Sequence, residues 1–240
     1  LRKLTDYDSS TYSPQHVQDP YSIRCIPQVH GSVRGALAHV SDVVRTEINS
    51  VTDNPLIFDG SATVISGGNF HGEPIALVAD YMKIALAELG NISERRVNRL
   101  VHPDLNDDLP AFLAENPGTN SGLMLAQYTS AALASENKNL ASPASVDSIP
   151  VSGDQEDHVS MGMHAAKDLQ EVIVNVREAL AVELIGACQA QEFKRLDLPD
   201  PLEKLYRRTR ETIPPVEKDR ELSSLIDRAS GLIQDERFLE

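Results

Sequence analysis

The sequence predicts an all-α protein: a long-helix bundle with one small β-hairpin and a short-helix C-terminal tail. Three observations predict it. Apolar residues recur at steps of three and four over four long windows, and strand-like segments occur in one short pair only. Pro199, Pro201, Pro214 and Pro215 then cut the end of the chain into short pieces.

Leu37, Val40, Val44 and Ile48 place one apolar face on a helix over residues 36–51, and that face is expected to be core. Leu56-Ile57-Phe58, Asp59-Gly60 and Thr63-Val64-Ile65 read as strand, turn and strand. From Pro74 to about Val101, Leu77, Tyr81, Ile84 and Leu89 recur at near-helical spacing, with Pro74 suited to a first turn and Pro103 to a stop. Such a helix is roughly 42 Å long at 1.5 Å per residue. Residues 121–141, rich in Ala and Leu, form a third helix. Residues 160–192 form a fourth, with Leu169, Ile173, Val176, Leu180, Leu184 and Cys188 in register. Long helices rich in small residues pack closely, and a chain of 240 residues has few layers to cover their outer faces, so a homo-oligomer is expected. Residues 1–192 are expected to be the helical-bundle portion. Residues 193–240, with ten basic and eleven acidic side chains, are expected to be a charged, solvated helical tail.

Hydrophobic residues make up 41% and charged residues 24%, an ordinary soluble composition. A formal charge of −14 repels phosphate backbones and anionic bilayers, so neither nucleic acid nor a membrane is an expected partner. No apolar run approaches the roughly 18 residues of a membrane span. Cys25 and Cys188 are too few and too far apart for a disulfide framework or a CxxC motif, and a reducing, cytoplasmic compartment is the expectation. The start, Leu1 to Asp8, has neither an initiator Met nor a signal core, and reads as the interior of a longer polypeptide.

Four polar, Gly- and Pro-dense stretches read as loops where chemistry can sit. Gln18 to Cys25 offers Gln18, Tyr21 and Arg24; the Arg24 fork suits a carboxylate, although a surface arginine paired with an acid explains it too. Ser66 to Pro74 carries three glycines ahead of a helix N-terminus that can receive an anion; a Gly-Gly turn closing the hairpin explains it equally well. Asn116 to Gly122 is the third. The fourth contains Gln155-Glu156-Asp157-His158, where the carboxylates either favour the start of the next helix or supply a base or an imidazole contact at Glu156. No metal site is expected, because His158 and His164 are six apart and no HExxH occurs.

Together, Gln18-Asp19-Pro20-Tyr21-Ser22-Ile23-Arg24-Cys25, Asp53-Asn54-Pro55-Leu56, Ser66-Gly67-Gly68-Asn69-Phe70-His71, Asn120-Ser121-Gly122, Ser135-Glu136-Asn137-Lys138 and Gln155-Glu156-Asp157-His158-Val159-Ser160-Met161 stand in an order that resembles the aromatic amino acid ammonia-lyases. The similarity runs from about Gln18 to Gln191, and the Gln-Glu-Asp-His form is similar to the histidine-using branch. The resemblance implies an all-helical homotetramer with sites assembled from more than one chain. It also implies L-histidine or a similar aromatic amino acid as substrate, and urocanate plus ammonia as products. Tyrosine- or phenylalanine-using lyases and aminomutases, and a non-catalytic assembly partner, are the alternatives.

The family's electrophile is 4-methylidene-imidazol-5-one, formed from an internal Ala-Ser-Gly. The resemblance further implies that Arg24 holds the substrate carboxylate, Tyr21 and Gln18 line the site near the electrophile, and Phe70 packs beside the adduct. Glu156 faces the imidazole and Gln155 is its neighbour; Asn69, Asn120 and His71 are left as structural. In the family the cofactor-forming segment lies in an N-terminal portion that is expected to be absent here, which predicts a chain inactive alone. Ala229-Ser230-Gly231 lacks the family's flanking residues and is not expected to be the precursor.

Overall fold

The computed structural model describes residues 17–60, 62–235 and 238; the Leu1–Asp8 start lies outside them. Among the described residues there are seven α-helices and one two-stranded antiparallel sheet. In chain order these are α1 (Tyr21–Arg24), α2 (Ile26–Ile48), β1 (Leu56–Phe58), β2 (Thr63–Ile65), α3 (Glu73–Val101), α4 (Met124–Leu140), α5 (Gly162–Lys194), α6 (Asp200–Thr212) and α7 (Ser223–Gln234). No described helix is long and apolar enough to cross a membrane. The expected all-α class with one hairpin is what the chain adopts. The hairpin has the expected register, Leu56 opposite Ile65 and Phe58 opposite Thr63.

The chain divides into two compact units, each drawn from separate stretches. The first comprises Leu1–Pro27, Gly90–Glu136 and Val174–Glu240. Its core joins Val97 and Val101 of α3, Leu123 and Ala126, Ala181, Val182 and Ile185 of α5, and Ile213, Val216, Leu225, Ile226 and Ala229. The last five come from the stretch expected to be a solvated tail, and Ile213, Leu225 and Ala229 are wholly buried. Charge density misled the sequence reading here, because amphipathic α6 and α7 keep their charges on one side and insert the other. The Gln189 side-chain amide also clips this stretch to α5: it donates to the Val216 carbonyl and accepts from the Val216 N–H, both at 3.0 Å.

The second unit comprises Gln28–Leu89 and Asn137–Ile173. Here α2 starts ten residues before the expected helix and ends three before its limit. The face expected to be core is largely turned out, with Leu37 54% and Ile48 77% exposed, whereas Val33 and Ala36 are buried. On α3 the expected stripe is likewise outward at Leu77, Tyr81 and Ile84, and the buried row is Ala76, Ala79, Lys83 and Ala87. The inner face mixes Val78 and Met82 with small alanines, Asp80 and a lysine, so helical spacing of bulky residues selects the outward stripe instead. Lys83 is tolerated because its ammonium meets Asp80 at 2.7 Å, Asp168 at 3.2 Å and the Ser142 carbonyl at 3.0 Å.

Candidate active site

In the first unit half of the Gln18–Cys25 stretch, Tyr21–Arg24, is helical, where a loop was expected. Pro20 caps α1, its carbonyl accepting the N–H groups of Ile23 and Arg24 at 3.0 Å. Pro27, with no N–H to offer, sits in the first turn of α2 and separates the two helices. Tyr21 and Arg24 therefore stand one turn apart on one face, and the Arg24 guanidinium lies 4.6 Å from the centre of the Tyr21 ring. Both are exposed, as is Gln18 just before the turn. Among the described residues no acid pairs with Arg24. Ser22, between them, is buried, and its carbonyl accepts Arg96 Nη1 at 3.4 Å. Arg96 is itself bound to Glu183, whose Oε2 also accepts the Ser93 hydroxyl at 2.6 Å. The short turn is thus tied to a buried-side network, with its phenol and guanidinium exposed.

The second unit carries the other candidates. Gly67 and Gly68 do not close the hairpin; Asp59-Gly60 does, and the Asn54 side-chain oxygen accepts the Gly67 N–H at 2.9 Å and the Ser66 hydroxyl at 3.1 Å. A turn from Gly68 to His71 then presents Phe70, 54% exposed. The helix start beyond it already holds its own acid, Glu73, in the first turn of α3.

Glu156 sits at the end of a tight turn: Val151 and Glu156 exchange backbone hydrogen bonds at 3.0 and 3.3 Å, and Ser152, Gly153 and Asp154 all have positive φ. Neither Glu156 nor Asp157 belongs to the first turn of α5, which has no acid, so the helix-start role is ruled out. The Glu156 carboxylate is exposed and accepts only the Ser152 hydroxyl, at 3.2 Å, among the described residues; Gln155 beside it is exposed too.

The Phe70 and Glu156 segments meet within this unit, through a residue that the motif reading left as structural. His71 Nδ1 accepts the Glu73 N–H at 3.3 Å, and His71 Nε2 lies 3.1 Å from the His158 carbonyl. The two imidazoles are stacked, 5.6 Å between centres and 1° from parallel. A metal-ligating set that sequence spacing missed also arises here, because the ligand atoms of His71, Glu73 and His158 lie within 4.8 Å of one another. Both His71 nitrogens are already engaged, and parallel rings do not point their in-plane lone pairs at one ion.

The model of the family described as aromatic amino acid lyase matches residues 1–211. The chain belongs to the aromatic amino acid lyase family. This lyase chain is 53% identical over 236 residues to the histidine ammonia-lyase of Symbiobacterium thermophilum, covering 97% of the chain and 46% of that relative. Its fold is similar to the histidine ammonia-lyase of Trypanosoma cruzi, with TM-score 0.88 and 48% identity over 92% of this chain and 44% of the other. It is also similar to the tyrosine aminomutase of Streptomyces globisporus, with TM-score 0.89 and 40% identity over 95% and 44%. The lyase chain spans about half the length of the curated relatives it matches.

The family implies the Ala-Ser-Gly-derived electrophile, and the tripeptide present here does not fit that origin. Ala229-Ser230-Gly231 lies inside α7, where the backbone is committed to helical hydrogen bonds. Ala229 is wholly buried, and Ser230 Oγ accepts Arg177 Nε at 3.0 Å. A cyclising tripeptide needs a backbone free to fold onto itself, which a buried helix interior denies.

Proposed function

We propose that the complete protein is a histidine ammonia-lyase, converting L-histidine to urocanate and ammonia, and that this chain supplies substrate-binding groups. The observation that carries the reading is the Glu156 carboxylate, held on a rigid turn, exposed, and without a cationic partner among the described residues. Identities near 50% to histidine ammonia-lyases support it.

An α-amino group leaves poorly and the β-proton is weakly acidic, so the reaction needs an electron sink and positioned polar groups. In the family the electrophile supplies the sink. Of this chain's own residues, Arg24 holds the substrate carboxylate through its planar fork. Tyr21 and Gln18 line the site beside the reacting carbons, and Phe70 packs on the bound amino acid. Glu156 accepts a hydrogen bond from the imidazole and favours its protonated form, with Gln155 as its neighbour.

The exposed apolar row Leu37, Leu77, Tyr81 and Ile84 supports association of copies, and a homotetramer is the state proposed. A cytoplasmic location belongs to the same reading, supported by the free thiols Cys25 and Cys188.

The test is a substrate panel on the full-length protein, read by urocanate or aryl-acrylate absorbance. Turnover of histidine, with tyrosine and phenylalanine at least about 10²-fold slower in kcat/KM, is the expected result, since a site built to hydrogen-bond a ring nitrogen rejects rings that lack it. Preference for tyrosine or phenylalanine would overturn it.

A further inference from the structure

His71 stands outside the substrate-binding set proposed above, yet it joins the two segments that carry Phe70 and Glu156. We propose that His71 is a positioning residue: its imidazole anchors the Glu156 turn to the Phe70 turn, so that carboxylate and aromatic ring are presented in a fixed relation. The role in turnover rests on the histidine ammonia-lyase reading; the anchoring rests on geometry alone.

The hydrogen bonds fix the tautomer. Because Nδ1 accepts the Glu73 N–H, the proton of the neutral ring is on Nε2, which donates to the His158 carbonyl at 3.1 Å. One end of this link is the start of α3, a 29-residue helix whose Lys83 is locked by Asp80 and Asp168. The other end is the main chain two residues after Glu156. Between 148 and 160 the segment holds itself together: Val151 and Glu156 exchange backbone bonds, and the Val159 N–H donates to Ser148 Oγ at 3.0 Å. A pin at His158 therefore sets the whole turn.

A second close contact lies beside it. A Cβ at Gly72 would sit 3.0 Å from Ser160 Oγ, so the Ser160 side chain packs on the Gly72 backbone in space that a glycine leaves open. The stacked His158 ring adds a second surface to the joint. Geometry favours this hydrogen-bonded joint over a cation held by His71, Glu73 and His158, since binding an ion would break one of the His71 bonds.

Two substitutions in the full-length protein separate the possibilities. His71→Phe keeps a flat ring for stacking and loses both hydrogen bonds. His71→Gln can still donate to the His158 carbonyl. For His71→Phe we expect kcat on histidine to fall about 10- to 100-fold, with KM within about threefold of wild type because Arg24 still clamps the carboxylate. His71→Gln should recover kcat to within about threefold. Amide exchange at Val151, Glu156 and Val159 should quicken in the Phe variant and stay as wild type in the Gln variant, at thermal midpoints that show both folded.

Unchanged kcat and exchange in His71→Phe would overturn the proposal, and so would a Gln variant as impaired as the Phe one. Stoichiometric Zn²⁺ on the purified wild type, lost in His71→Phe and needed for turnover, would also overturn it in favour of a metal site. A wild-type protein that does not turn over histidine overturns the functional reading instead. The exchange arm then judges the anchor alone, upheld by loss of protection in His71→Phe and overturned by its retention.

Discussion

Lys83 is fully buried, and three acceptors meet its three N–H bonds: Asp80, Asp168 and the Ser142 carbonyl. Burial pushes the Asp80 carboxyl up, and hydrogen bonds from Lys83 and Ser145 outweigh it, leaving the group below its ordinary value. Lys83→Met leaves Asp80 buried without its cation, and a loss of about 3–5 kcal/mol in denaturant unfolding is expected. Asp219 is the exposed counterpart: its carboxylate accepts the N–H groups of Ser121 and Gly122 at 2.9 Å, and these backbone donors hold it below its ordinary value. A lowered carboxyl stabilises the fold fully above the ordinary carboxylate range and loses that contribution as pH falls through the lowered value. Asp219→Asn should therefore lower the thermal midpoint at neutral pH and flatten its decline in acid, checked by melts across that range.

At the scale of elements, the loop from Asn116 to Gly122 shows what a glycine can be needed for. Gly122 has φ +50°, and a Cβ there would lie 2.6 Å from the Phe112 carbonyl oxygen and 2.8 Å from Ala114 Cβ. Backbone cannot give way as a side-chain tip can, so Gly122→Ala should cost about 1–3 kcal/mol, read as a lower denaturant midpoint at unchanged slope. The element boundaries were legible in sequence where punctuation is strong: α3 between Pro74 and Pro103, and the hairpin around Asp59-Gly60. The buried faces were less legible. Ala76, Ala79 and Ala87 carry little hydropathy beside Leu77 and Tyr81, and Lys83 looks like a surface residue until Asp168, 85 positions away, is brought to it. The α6–α7 stretch misled for a similar reason, since Ile213 and Leu225 are sparse among charges and their burial depends on α5. Among the candidate residues, Arg24, Tyr21 and Glu156 could be singled out by residue type. The His71 joint could not, because a hydrogen bond to a backbone carbonyl leaves no mark in the sequence at the acceptor.

At the scale of the whole molecule, an apolar row left outward on α2 and α3 of the second unit calls for a covering surface. Replacing Tyr81, which is 47% exposed and makes an edge contact with His39, by Glu puts a charge into that row. Sedimentation of Tyr81→Glu should show a smaller assembly than wild type, and an unchanged one would argue against this face as the interface. The proposed function rests at this scale on the Glu156 carboxylate meeting the ring of the amino acid. The most direct measurement is the steady-state kinetics of Glu156→Gln in the full-length protein with histidine as substrate. The account predicts a fall in kcat of about 10²-fold or more at a preserved fold, the size expected when a positioned carboxylate is lost. A Glu156→Gln protein that makes urocanate at the wild-type rate would contradict it.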